Sequence, residues 1–217
     1  MKDIYTSLSG SMCAWHQVEL ISNNIANVNT SGFREERAAY KSDGQNASYA
    51  ATTFNAADGE LMVDNDPHHF ALRGDGFFAL ANNSYTRDGH FHVDLQGNLL
   101  TQDGIGVLDD TGKPMVMNPG ELLSVTPEGN LTGSVSGNLG RFGMVKLSNP
   151  QPAGGNLWTG TPTPSTTTQV VQGALEHSNA DPLRGMVELI EASRYFEAQE
   201  KVIRTSDDML ARLNRIT

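Results

Sequence analysis

The chain holds one cysteine, Cys13, among its 217 residues. That count excludes an intramolecular disulfide and a cysteine-rich zinc site. Free cysteine is among the most buried residue types, so Cys13 is expected to act as a small hydrophobe. Basic residues are scarce as well. Fifteen Lys and Arg stand against 25 Asp and Glu, leaving a net charge of −10. Nucleic acid and anionic lipid both demand clustered positive charge, so neither is expected as a partner. No run approaches the ~20 apolar residues of a membrane-spanning helix. The N-terminus shows no basic segment followed by an apolar run and a small-residue cleavage site. The expected location is therefore the cytoplasm, or a compartment reached by a route that reads no cleaved signal.

What is present divides the chain into three parts. From about Lys2 to Asn27, apolar residues fall at spacings of three and four: Ile4, Leu8, Met12, Trp15, Val18, Ile21, Ile25 and Val28. That is a helical period with no proline to interrupt it. The turn formers Asn27-Val-Asn-Thr-Ser-Gly32 end it. A second helix is expected near the C-terminus, with Asp181 as N-cap and Pro182 in the first turn. Leu189, Phe196, Ile203 and Leu210 recur every seven residues, and Tyr195, Val202, Met209 and Ile216 form a parallel series. A heptad sustained this long favours a coiled-coil seam. The alternative is an amphipathic helix lying on its own domain's core. The two terminal helices are expected to pair with each other.

Between them the chain reads as β. Asp-Gly recurs at 58–59, 75–76, 88–89 and 103–104, and Gly-Asn at 97–98 and 129–130. These are hairpin turn signals. They separate short strand-like runs: 77–80, 91–95, 99–101, 106–108, 122–126 and 142–147. Turns at this spacing predict an antiparallel sandwich or barrel. The resulting class is α+β: a discontinuous helical domain, 1–32 with 173–217, made of coiled-coil-like terminal helices and carrying an inserted antiparallel β-rich domain, 58–148. Residues 33–57 and the Pro/Gly/Thr-rich stretch 149–172 are expected to be linkers.

Reactive constellations are sparse. His90, His92 and Asp94 would share one face of a strand, which could hold zinc. Leu95 stands where the metallo-β-lactamase pattern needs a further histidine, so a metallo-hydrolase is a remote alternative. No Gly-x-Ser-x-Gly elbow and no phosphate loop occur. Asp109-Asp110 reads as a solvated turn. A turn-rich β-domain would also suit a secreted adhesin-like binding module, although that would not require helices with heptads at the ends. No enzyme activity, cofactor, metal or small-molecule substrate is expected.

The segment Ser22-Asn-Asn-Ile-Ala-Asn-Val-Asn-Thr-Ser-Gly-Phe33 resembles the N-terminal signature of flagellar rod and hook proteins. Ala71-Leu-Arg-Gly-Asp-Gly-Phe-Phe78 and Tyr85-Thr-Arg-Asp-Gly-His-Phe91 are similar to the middle of that family. Gly173-Ala-Leu-Glu-His-Ser-Asn179, Met186-Val-Glu-Leu-Ile190 and Phe196-Glu197 are similar to its closing helix. The phrase from Ala174 to Pro182 points to the proximal-rod branch. The Asn-Asn-Ile-Ala-Asn run is closer to the distal-rod branch, which stays open as the alternative.

The resemblance implies a structural subunit that assembles with itself and other rod proteins into a torque-transmitting tube. It also implies delivery by the flagellar export apparatus to the periplasmic part of the basal body. The residues expected at the assembly interface are Ile4, Leu8, Met12, Trp15, Val18, Ile21, Asn23, Asn24, Ile25 and Asn27 on the first helix. On the second they are Leu189, Phe196, Val202, Ile203, Leu210 and Leu213. Asn23, Asn24 and Asn27 are candidates for fixing register between neighbouring helices, as a buried Asn does in coiled coils. Solvated polar positions are the alternative for them.

Overall fold

In the computed structural model, the backbone is described for residues 2–43 and 46–216, and side chains for 6–41, 48–206, 208, 209 and 211. The chain divides into two compact units. One comprises Met1–Val28, Glu35–Asn55 and Ala180–Thr217; the other comprises Asn29–Arg34 and Ala56–Asn179. The architecture is α+β, with paired terminal helices and an inserted antiparallel β region.

The helical unit contains α1 (Lys2–Ala26) and α2 (Pro182–Ile216), packed against each other. Asp181 caps α2 as its sequence suggests: its carboxylate accepts from the N–H groups of Leu183 and Arg184 at 2.9 and 3.2 Å. The same unit holds an antiparallel hairpin, β1 (Glu36–Asp43) and β2 (Asn46–Phe54). These residues were expected to be linker. They pair along nearly their whole length, with one irregularity between Ala39 and Tyr40. The hairpin is anchored on α1, where Tyr40 donates its hydroxyl proton to the Cys13 carbonyl (3.2 Å) and Tyr49 stacks on His16. Main-chain pairing and that helix surface supply the order that side-chain periodicity does not show.

The β unit is a set of small antiparallel sheets. β3 (Leu61–Val63) pairs with β15 (Ala174–Glu176), and β4 (Phe70–Arg73) with β14 (Gln169–Gln172). β7 (Phe91–Val93) pairs with β8 (Leu99–Thr101). β9 (Leu123–Val125), β10 (Asn130–Gly133) and β11 (Gly137–Arg141) form a meander. β5 (Phe77–Ala79), β6 (Tyr85–Thr86), β13 (Leu157–Pro164) and β12 (Met144–Gly154) close on themselves as a four-strand barrel. The stretch 149–172, also expected to be linker, is therefore mostly strand. Its prolines sit in an exposed ribbon, where a missing N–H costs least. Phe70, Phe78, Phe91 and Phe142 fill the core with ring centroids 5.1–6.4 Å apart.

Candidate assembly interface

Small residues are among the most buried positions of the two helices in the first unit. Ala14 and Ala192 are buried, at 3% and 5% exposure. A Cβ added at Gly185 would sit 3.0 Å from Cγ1 of Ile25, so α2 begins in direct contact with the end of α1. Ile21 is buried and Val18 and Ile25 are half-buried. The first half of the α1 stripe is not covered: Leu8 is 48% exposed and Met12 and Trp15 are each 58%. Trp15 has its ring 6.0 Å from that of Phe196, which leaves most of the indole open.

The α2 stripe divides lengthwise. Leu189, Phe196 and Ile203 are half-buried, while Tyr195, Val202 and Met209 of the parallel series are exposed. Leu183, Met186, Val187 and Ile190, near the start of α2, are exposed as well. Ile4, Leu210 and Leu213 lie outside the described side chains. Small residues let two backbones approach, and the large side chains that flank them are left facing outward.

The three asparagines have partners inside the subunit. Asn24, nearly buried, brackets the backbone of Glu36: its Nδ2 donates to the Glu36 carbonyl and its Oδ1 accepts from the Glu36 N–H, both at 2.8 Å. Asn23 reaches the Glu36 carboxylate at 3.3 Å, and Asn27 donates back to Asn23. Burial pushes the Glu36 carboxyl up, against the Asn23 bond. The amides thus fix where the hairpin starts on α1.

The end of the signature belongs to the β unit. Gly32 has φ of +67°, and a Cβ there would lie 2.5 Å from the carbonyl carbon of Arg87 and the nitrogen of Asp88. Only glycine meets both conditions. Its N–H donates to the Glu176 carbonyl at 2.7 Å. Next to it, Arg34 and Arg87 are 3% and 0% exposed and share the carboxylate of buried Glu176, at 2.9 and 2.8 Å. Both also reach Asp58, at 3.0 and 3.1 Å. Burial draws the Arg87 guanidinium below its ordinary pKa, against the charge of Glu176. Burial also works against the Asp58 charge, yet the Arg34 bond, the Gly74 N–H and both guanidinium charges hold its carboxyl below the usual range. Sequence reading missed this cluster. Its members lie 24 or more positions apart; Arg87 and Glu176 fall inside family-like segments and Arg34 beside another, but nothing in those segments reports that they meet.

Comparison with known proteins agrees with this layout. Residues 4–34 match the model of the flagella basal body rod protein family, and 71–139 that of the flagellar hook protein FlgE/F/G D1 domain. Residues 171–216 match the flagellar basal body rod FlgEFG protein C-terminal family. The flagellar basal-body rod protein FlgF of Caulobacter vibrioides is 31% identical over 235 residues, spanning 98% of this chain and 94% of that protein. The chain belongs to the flagellar basal-body rod family. FlgF of Mesorhizobium japonicum is 31% identical over 223 residues, spanning 93% of this chain and 91% of that protein. FlgG of Buchnera aphidicola subsp. Schizaphis graminum is 28% identical, with 98% of both covered.

As a member of the rod family, the chain is a structural subunit of the basal-body rod, not an enzyme, and it assembles with other rod proteins. His92 is exposed, and the His90 ring meets the edge of His69 at 4.3 Å. The Asp94 carboxylate is taken up by the turn it starts, accepting from Gln96, Asn98 and the Asn98 side chain. Among the described residues, no group of three His, Cys, Asp or Glu is placed to hold a metal ion.

Proposed function

We propose that the chain is a proximal-rod subunit of the FlgF type, joined to neighbouring rod subunits through the uncovered faces of α1 and α2. The observation that carries this is the exposure of Leu8, Met12, Trp15, Tyr195, Val202 and Met209, large apolar side chains that the pairing of the two helices leaves about half or more in water. A helical tube needs heterologous contacts, in which one patch meets a different patch on the next subunit, and two long half-covered helices offer several. The FlgF relatives at 31% identity, against 28% for the FlgG relative, support the proximal subtype. Delivery by the flagellar export apparatus to the periplasmic space belongs to the same proposal.

Deletion of the gene, with complementation, should give non-motile cells whose isolated basal bodies are truncated at the rod in electron micrographs. Gold-labelled antibody on complemented rods should mark the end nearest the inner membrane. Label at the hook end would replace the proximal reading with the distal one. Intact rods in the deletion strain would end both.

A further inference from the structure

The β unit takes in the chain at Asn29, releases it after Arg34, takes it back at Ala56 and releases it again after Asn179. Any force carried along the chain from the helices enters the β unit at these four boundaries. The structure ties them together. The Gly32 N–H donates to the Glu176 carbonyl (2.7 Å) and the Asn179 N–H to the Phe33 carbonyl (3.4 Å). The Asn179 side chain donates to the Ala57 carbonyl at 2.7 Å, and the His177 N–H to that of Glu60 at 2.8 Å.

Behind these backbone bonds sits the Arg34–Glu176–Arg87–Asp58 cluster. Arg34 donates to the carbonyls of Ala56 and Ala57, at the re-entry point. Arg87 donates to those of Leu72, Gly74 and Gly76, which belong to or adjoin β4 and β5 of the aromatic core. Glu176 holds both guanidinium groups and also accepts from the Gly59 N–H at 2.9 Å.

We propose that this cluster is a mechanical clamp. It makes the four boundaries move as one, and it passes tension to the core through Arg87 before any strand can peel. Arg34 Nε is buried without a partner among the described residues and Asp58 stands at the rim, but Glu176 and the Arg87 guanidinium are held on several sides; such a buried ionic group resists opening because removal of one member leaves its partner charged and unpaired away from water. The torque-carrying role rests on the proposed rod function; the clamp itself does not.

The test pulls the full chain, with Cys13→Ser, between single cysteines placed at Asn29 and Ala180, at constant force in optical tweezers. Glu176→Gln should shorten the folded lifetime about 100-fold or more, and Asp58→Asn, at the rim of the cluster, about 10-fold. The same variants pulled instead between cysteines at Glu128 and Ala153, on exposed parts of the β unit, should change several-fold less. Equal shortening in the two geometries would make the cluster an ordinary part of the core and overturn the clamp, as would no shortening in either. If Glu176→Gln does not fold, Asp58→Asn decides by the same contrast. Failure of the wild-type gene to restore rods in a deletion strain would sink the rod reading and leave the pulling result standing.

Discussion

The two units bury side chains by opposite rules. In the β unit the largest residues go inside: Phe70, Phe78, Phe91 and Phe142 are each at most 2% exposed. In the helical unit the buried hydrophobics, among the described side chains, are Ala14, Ile21 and Ala192, while Trp15 and Met12 stay more than half in water. The first arrangement is a completed core. The second is one wall of a core, and under the proposed rod assembly the other wall comes from a neighbouring subunit. Side-chain size alone therefore does not foretell burial; what decides is whether the chain supplies both sides of the contact.

The harshest way to test this contrast is to damage the completed core and ask whether the helices notice. A Cβ at Gly89 would lie 1.5 Å from the Phe70 carbonyl oxygen, and Phe70 N–H donates back to the Gly89 carbonyl. Backbone meets backbone, so no rotamer change relieves the clash. Gly89→Ala should cost at least about 4 kcal/mol and abolish the β unit's cooperative unfolding, read by near-ultraviolet circular dichroism during urea titration. Next in size is Phe78→Ala. Its ring lies 5.1 Å from that of Phe91 and 5.4 Å from that of Phe142, and it is fully buried. The loss should be about 3–5 kcal/mol in the same titration. If either variant unfolded the helices in step with the sheets, the two units would fold as one cooperative body.

The contrast also explains what could be read from the sequence. The helices announce themselves because their apolar residues keep a period of three and four, and the Asp181-Pro182 start carries its own chemistry. Strand runs between Asp-Gly and Gly-Asn turns were legible too, because glycine marks them: Gly97, Gly104 and Gly129 sit at positive φ, while Gly59, Gly76 and Gly89 stand where a Cβ would strike a neighbour. The hairpin 36–54 was not. Residues such as Ala47, Ser48, Ala50 and Ala51 show no alternation, because the hairpin is ordered by main-chain pairing and by a few contacts with α1 rather than by a buried face. The covered side of the helix pair was hidden too: periodicity finds large apolar residues, and here glycines take part, Gly185 against Ile25 and Gly10 against Tyr195 and Gln199. The ionic cluster joins Arg34 to Glu176 across 142 positions, and no local pattern reports a pairing at that range. Gly32 was seen as a helix stop, whereas its close approach to Arg87 needed the fold.

A smaller effect is expected from acid, and it falls on the β unit. The carboxylate of Glu121 accepts from the Val135 and Ser136 N–H groups and from the Ser136 hydroxyl. Those backbone and side-chain bonds push its pKa down from 4.5 to about 2. A carboxyl lowered on folding adds stability that is complete above pH 4.5 and lost as pH falls toward 2. Wild type should therefore weaken across that window, and Glu121→Gln should weaken less steeply. Asp94 and Asp109 are also held low by their own turns, so part of the slope will remain in the variant. Urea midpoints measured from pH 5 to pH 2 give the difference between the two slopes. Identical slopes would mean the 133–136 loop does not depend on this charge.

The smallest effect on the isolated subunit is the one that bears most on function. Met12 is 58% exposed on the uncovered half of the α1 stripe. A substitution at a surface position away from caps and ion pairs changes stability by no more than about 0.5 kcal/mol. Met12→Ser should thus leave the urea midpoint of purified protein where it was. In a rod the same side chain would lie in a subunit contact, and a serine there would bury a hydroxyl where a thioether had packed. Complementation with Met12→Ser should leave cells with few complete rods, while Ser22→Ala, exposed on the same helix, should restore them. Swimming equal to wild type in both strains would show that this face of α1 meets solvent in the rod as well, and the contact would have to be sought on the open face of α2.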